Sequence, residues 1–174
     1  MYLPVILGTA REGRESEKVA RFVLELVKRS GAGAELIDAR DYRIAATNNT
    51  GAIPEAKKLA EKITKADGII IVMPEYNHGF SGELKMMLDL LYKEYANKPV
   101  AICGVSAGPL GGARGVQALK LTLLALRLQP ILETVYFPNV QELFNEQGEI
   151  KDRAYEQRVL GMVEGLVKQI ANKK

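Results

Sequence analysis

The sequence predicts an α/β fold, a three-layer sandwich in which a five-stranded parallel sheet of order 2-1-3-4-5 carries helices on both faces. Three observations predict it. Five short apolar runs alternate with helix-period segments along the 174 residues, the pattern of successive β-α-β units. The run Ile69-Ile70-Ile71-Val72 shows no polar alternation, which suits a strand covered on both sides. The residues with unusual turn and binding chemistry cluster just after the first, third and fourth apolar runs, at the strand ends where open α/β sheets receive ligands.

Taken in order, Leu3 to Leu7 reads as the first strand and Ser16 to Lys28 as the helix that returns over the sheet. Glu35 to Ala39 is the second strand, followed by a helix over Pro54 to Ala66. Gly68 to Met73 is the third strand and Ser81 to Tyr95 its helix. Val100 to Val105 and a helix over Gly112 to Leu128 form the fourth unit, and Ile131 to Phe137 with a last helix over Asp152 to Ala171 the fifth. No repeat or low-complexity tract interrupts the series, so residues 1–174 are expected to form a single domain. Five strands in this order make the arrangement flavodoxin-like, with the connection reversing between strands 1 and 3.

Composition excludes several classes. Cys103 is the lone cysteine and His78 the lone histidine, so neither an internal disulfide nor a nitrogen-and-sulfur zinc site is available, and no metal is expected. A buried structural thiol and a reducing, cytoplasmic setting fit Cys103. The N-terminus MYLPVILG lacks a basic start, and no run of 18 apolar residues occurs, which argues against secretion and against a membrane partner. The net charge of +3 comes from 24 basic and 21 acidic residues spread along the chain, without the dense basic stripe of a nucleic-acid face. A small anionic ligand fits better.

Gly8 to Ser16 joins a buried strand to a helix start, where unpaired N–H groups favour an anion. The helix dipole contributes only about 0.3–2 kcal/mol, so the hydroxyls of Thr9 and Ser16 and charge-assisted bonds from Arg11 or Arg14 are expected to add to it. The loop is not an ATP-binding P-loop, because Arg14 and Glu15 stand where that motif needs Lys and Ser or Thr. Nor does it carry a G-x-G-x-x-G dinucleotide fingerprint, although Asp38 at the end of strand 2 lies where a ribose ligand would. The plain reading of the same residues is a helix cap with solvated arginines.

Pro74 to Gly82 is long and aromatic for a connection in an α/β unit. Tyr76 offers a flat face for a ring system, while Asn77 and the backbone amides match the alternating donors and acceptors of a flavin's pyrimidine edge. Packing of Tyr76 and Phe80 against a neighbouring subunit is the competing reading. His78 has no acidic orienter in sequence and is expected to be structural or a substrate-edge contact rather than a proton-transfer group. In the third loop, Gly104-Val105-Ser106-Ala107-Gly108 fits the nucleophile elbow of α/β hydrolases, but the only histidine precedes the serine, so the order Ser, acid, His cannot be built. The other reading is that Ser106 to Gly112 aims backbone N–H groups at the electron-rich edge of a reduced ring.

The segments GTAREGR with VARF, PEYNHGFSGELK, KPVAICGVS and GGARG, spread from about Leu3 to Pro138, resemble the NADPH-dependent FMN reductase family. The resemblance implies a flavodoxin-like FMN-binding domain that oxidises NADPH or NADH and reduces flavin, quinone, azo or metal-oxyanion acceptors. It also implies that Thr9, Arg11, Arg14 and Ser16 hold the FMN phosphate, that Pro74, Glu75, Tyr76 and Asn77 hold the isoalloxazine, and that Ser106, Ala107 and Gly108 meet its other edge. Flavin N5 would carry the hydride, so no catalytic side chain is expected. The chain departs from the family pattern where Met86 and Met87 follow Lys85, and where Phe22 stands for a frequent Trp.

Helical spacing places Leu84, Leu88, Leu91 and Tyr95 on one face of the helix from Ser81 and puts Met86 and Leu90 almost opposite. In the helix from Gly112, Leu121, Leu124 and Leu128 likewise lie off the inward stripe. Two such second faces predict a homodimer or homotetramer through helices 81–95 and 112–128. A chain with no further domain for nicotinamide implies that donor and small-molecule acceptor use one site in turn, by ping-pong kinetics. The competing functions are an electron-carrying flavoprotein without nicotinamide activity and, further off, a serine hydrolase at Ser106.

Overall fold

The computed structural model of the protein describes residues 1–46 and 51–172. Its regular elements are β1 (Val5–Leu7), α1 (Ser16–Arg29), β2 (Leu36–Asp38), α2 (Pro54–Lys65), β3 (Ile69–Pro74), α3 (Gly82–Leu88), β4 (Pro99–Val105), α4 (Ala113–Ala125), β5 (Gln129–Phe137), α5 (Val140–Leu143) and α6 (Ala154–Ala171). The strands form one parallel sheet of order β2-β1-β3-β4-β5, as expected. Ile6 pairs with Ile37 on one side and Ile71 on the other.

Alternation along β3 supplies two cores. Ile69, Ile71 and Met73 pack with α2, α3 and α4, whereas Ile70 and Val72 pack with α1 and α6; all five side chains are fully buried. Each such side chain contributes roughly 1.5–3 kcal/mol relative to exposure. The absence of polar alternation in the sequence thus reflects helices on both faces.

The helix expected over residues 81–95 is broken. α3 ends at Leu88, and Lys93–Tyr95 form a separate 3-10 turn. Leu90, Leu91 and Tyr95 all turn into the core, so the second apolar face expected from Met86 and Leu90 does not form: burying three large side chains outweighs continuing one helical period. On α4 the expectation holds in part. Leu121 and Leu124 are 73% and 59% exposed, while Leu128 is buried, because Arg127 takes a left-handed conformation at φ 63 and turns the chain into β5. β5 is an edge strand, and its pairing with β4 jumps from Val100↔Pro130 to Ile102↔Thr134. The bulge and Pro130 interrupt the open edge, and Leu132 at the bulge is 92% exposed. No helix among the described residues is long and apolar enough to cross a membrane.

Candidate functional site

The loops after β1, β3 and β4 meet at the carboxyl edge of the sheet, beside the reversal between β1 and β3. They enclose a crevice of about 280 Å3 lined by Arg11 and Gly13 to Ser16, by Pro74 to Tyr76, by Val105 to Ala107, and by Val140 and Gln141. A larger hollow of about 690 Å3 lies beside α2 and residues 89–94, away from the strand ends.

In the first loop, Gly13 passes through φ 65, a conformation that costs a side-chain-bearing residue about 1–2 kcal/mol. α1 then begins without a side-chain cap. Ser16, its first residue, is 2% exposed and its Oγ has no hydrogen-bond partner. A buried hydroxyl left unpaired costs about 1–3 kcal/mol, so an orphaned one at an uncapped helix start is what an anion site looks like before the anion is added. Arg11 forms no ion pair among the described residues, and its guanidinium lies 5.6 Å from the centre of the Tyr76 ring.

Arg14 and Thr9 are used differently from the expectation. The Arg14 side chain is 1% exposed and pairs with both Asp38 and Glu17, so its guanidinium faces protein rather than an anion; its backbone still lines the crevice. The Asp38 carboxylate is correspondingly occupied and is no ribose ligand. Burial pushes Asp38 up, but the hydrogen bonds from Arg14 and the Arg40 N–H outweigh it and hold the carboxyl below its usual range. Thr9 is fully buried. Its Oγ1 accepts the Arg11 N–H at 3.2 Å and shares a 3.1 Å hydrogen bond with the Tyr76 hydroxyl, so Thr9 shapes the loop and ties it to the second wall.

The second loop is tighter than its length suggested. Tyr76 and Gly79 exchange two backbone hydrogen bonds of 2.9 Å, and Asn77 and His78 between them have φ 49 and 66, the signature of a type I′ turn. Both side chains are exposed at its tip, so Asn77 stands outside the crevice wall. Glu75 Oε2 accepts the Gly115 N–H at 2.9 Å, placing a carboxylate at the start of α4, where the helix dipole favours it. Ser81 closes the loop: its Oγ donates to the Gly8 carbonyl at 2.6 Å and caps α3 by accepting the Leu84 N–H.

The glycines of the third loop serve packing. A Cβ at Gly111 would meet the Tyr136 Cβ at 2.8 Å, and one at Gly112 the Val105 nitrogen at 2.8 Å. They let the loop cross the end of the sheet. Ser106 and Ala107 line the crevice, but Gly108 does not; its carbonyl accepts the Ser106 Oγ at 2.9 Å and the Asn139 N–H. That bond leaves the Ser106 hydroxyl without the imidazole partner a nucleophile needs. Cys103 is fully buried and burial pushes its thiol far up, which makes it unreactive.

Of the sequence candidates, Arg11, Arg14, Ser16, Pro74, Glu75, Tyr76, Ser106 and Ala107 come together at the crevice, whereas Thr9, Asn77 and Gly108 support it or stand outside. Sequence reasoning missed Val140 and Gln141. Both follow β5 at the same sheet edge, and the Pro138-Asn139 turn signal just before them was the available clue.

A family model described as NADPH-dependent FMN reductase matches residues 1–142 of this chain. A quinone reductase of Pseudomonas putida is 29% identical over 157 residues, spanning 86% of this chain and 84% of that relative. An NAD(P)H-dependent FMN reductase of Pseudomonas aeruginosa is 30% identical over 154 residues, spanning 84% and 83%. Among solved structures, the flavoenzyme NAD(P)H:(acceptor) oxidoreductase FerB from Paracoccus denitrificans superposes with a TM-score of 0.82 at 22% identity, covering 98% of this chain and 97% of that one. At that identity the superposition speaks for the fold.

Proposed function

The chain belongs to the NADPH-dependent FMN reductase family, a flavin-dependent NAD(P)H oxidoreductase, and we propose that the strand-end crevice seats its FMN by the phosphate, with quinones as the acceptor class. The single observation that carries the seat is the buried, unpartnered Ser16 hydroxyl at the uncapped start of α1. When bound, FMN supplies the hydride chemistry at its ring. The protein's part is to bind and orient. Arg11 pairs its charge with the phosphate, and Ser16 donates its free hydroxyl. Tyr76, braced by Thr9 and Arg11, and Glu75, braced by Gly115, fix the wall on which the ring rests, with Ser106 and Ala107 opposite and Asn77 at the outer edge.

Among the crevice side chains, Arg14, Glu15 and Glu75 are already paired with protein groups, and no nucleophile stands against a base. The crevice residues would hold FMN and leave one site for donor and acceptor to use in turn, which is ping-pong turnover. The quinone reductase among the relatives supports the acceptor class. Exposed Leu121, Leu124 and Leu132 support self-association through α4 and the β5 bulge, and the lone buried Cys103 supports a reducing, cytoplasmic setting.

The test is an FMN titration by fluorescence together with NADPH oxidation in the presence of benzoquinone. Arg11→Ala removes a charge-assisted contact worth about 1.5–3 kcal/mol, so the Kd for FMN should rise about 10- to 150-fold. Unchanged FMN affinity removes Arg11 from the seat, and intersecting rather than parallel double-reciprocal lines overturn the shared-site reading.

A further inference from the structure

The end of β2 stands outside the crevice wall, yet its Asp38 and Arg40, together with the loop's own Arg14, hold the phosphate loop at three successive carbonyls. Arg14 Nη1 donates to the Thr9 carbonyl. Arg40 Nε donates to the Ala10 carbonyl at 3.4 Å and its Nη2 to the Arg11 carbonyl at 2.8 Å. Asp38 sets both arginines: Arg14 reaches its Oδ1 at 2.8 Å and also its Oδ2, and the Arg40 backbone N–H reaches Oδ1 at 2.9 Å. Glu17 Oε2 takes Arg14 Nε at 3.3 Å and Nη2 at 3.2 Å.

A guanidinium has five N–H donors, and on Arg14 each has a protein acceptor: one on Nε, two on Nη1 and two on Nη2. None is left for an anion. What the arginines do is draw the carbonyls of residues 9 to 11 to the β2 side. In a trans peptide the N–H lies opposite the carbonyl, so the same contacts turn the N–H groups of residues 10 to 12 the other way; that of Arg11 is taken by Thr9 Oγ1, and the loop is held in one shape.

We propose that Asp38 is a positioning residue for FMN binding: acting through Arg14 and Arg40, it fixes the shape of the phosphate loop without touching the phosphate. The inference rests on the reading of that loop as the FMN phosphate seat.

Fluorescence titrations with FMN and with riboflavin, which lacks the phosphate, test it on wild type, Asp38→Asn, Arg14→Lys and the double variant. Residues acting in one network couple strongly, so each single variant should raise the Kd for FMN by about tenfold, and the double variant no further. Riboflavin affinity should stay within about twofold throughout, which general destabilisation of the fold would not spare. If Arg14 instead gripped the phosphate, Asp38→Asn would free donors and leave FMN binding unchanged or tighter while Arg14→Lys weakened it, and that result overturns the proposal. Should the buried substitutions fail to fold, Arg40→Ala at an exposed position carries the test: weaker FMN binding with riboflavin unchanged supports the proposal, and unchanged FMN binding overturns it. Wild-type protein that binds FMN and riboflavin equally overturns the phosphate-seat reading itself, and the inference with it.

Discussion

Replacing Ser81 by Ala removes two buried hydrogen bonds, one that ties the second loop to the first and one that caps α3. Ser81 is 1% exposed; its Oγ donates to the Gly8 carbonyl at 2.6 Å and accepts the Leu84 N–H at 3.1 Å. Losing the α3 cap costs about 1 kcal/mol. Leaving the Gly8 carbonyl without its buried partner adds about 1–3 kcal/mol, for a total of about 2–4 kcal/mol. Gly8 opens the phosphate loop, so freeing its carbonyl also loosens the seat. Urea unfolding of the FMN-free protein, followed by circular dichroism, should show a lower midpoint at unchanged slope. Repeating it with saturating FMN should widen the gap between variant and wild type, because ligand binding stabilises the tighter binder more. A loss below about 1 kcal/mol, or a gap that FMN leaves unchanged, refutes the reasoning.

Three further outcomes are expected. A Cβ at Gly115 would meet the Gly79 carbonyl oxygen and the Met73 Cε, both at 2.9 Å, so Gly115→Ala should lower stability by about 1–3 kcal/mol and disturb the Glu75 contact; an unchanged urea midpoint would count against that packing. His78 sits in a left-handed conformation that glycine adopts freely, so His78→Gly should raise stability by about 0.5–1 kcal/mol once the greater freedom of the unfolded chain is deducted. A rise in stability with a fall in quinone turnover would mark His78 as a substrate contact, whereas a fall in stability would contradict the turn geometry. The Arg21 hydrogen bond holds Glu17 down, against its burial and with help from Arg14, and Asp38 is held down as well. Groups with depressed folded values contribute stability above their ordinary range and lose it as pH falls through the folded values. The urea midpoint should therefore hold from neutral pH to about pH 5 and then decline, and Asp38→Asn should make that decline shallower; a midpoint flat to about pH 3 would refute the assignment.

The fold was legible because its signals are local. The unbroken Ile69–Val72 run suits a strand covered on both faces, and five strands alternating with helices carry the right-handed crossovers and the usual order 2-1-3-4-5. Residue types at the strand ends pointed to the crevice, and a helix start after Gly13 pointed to a seat for an anion there. Helix continuity was less legible: residues 81–95 keep a helical period that the core interrupts by drawing in Leu90, Leu91 and Tyr95.

By itself, then, the sequence determined the sheet, the family and the edge at which the proposed FMN seat lies, because apolar period and turn chemistry act between near neighbours. Only the tertiary structure decided which arginine is saturated by protein partners. Arg11 and Arg14 look alike three residues apart, but Asp38, brought to the loop by the pairing of β1 with β2, claims the guanidinium of Arg14, while that of Arg11 has no ion pair among the described residues and lies against the Tyr76 ring. A side chain's role depends on the partners that saturate it, and those come from distant parts of the chain.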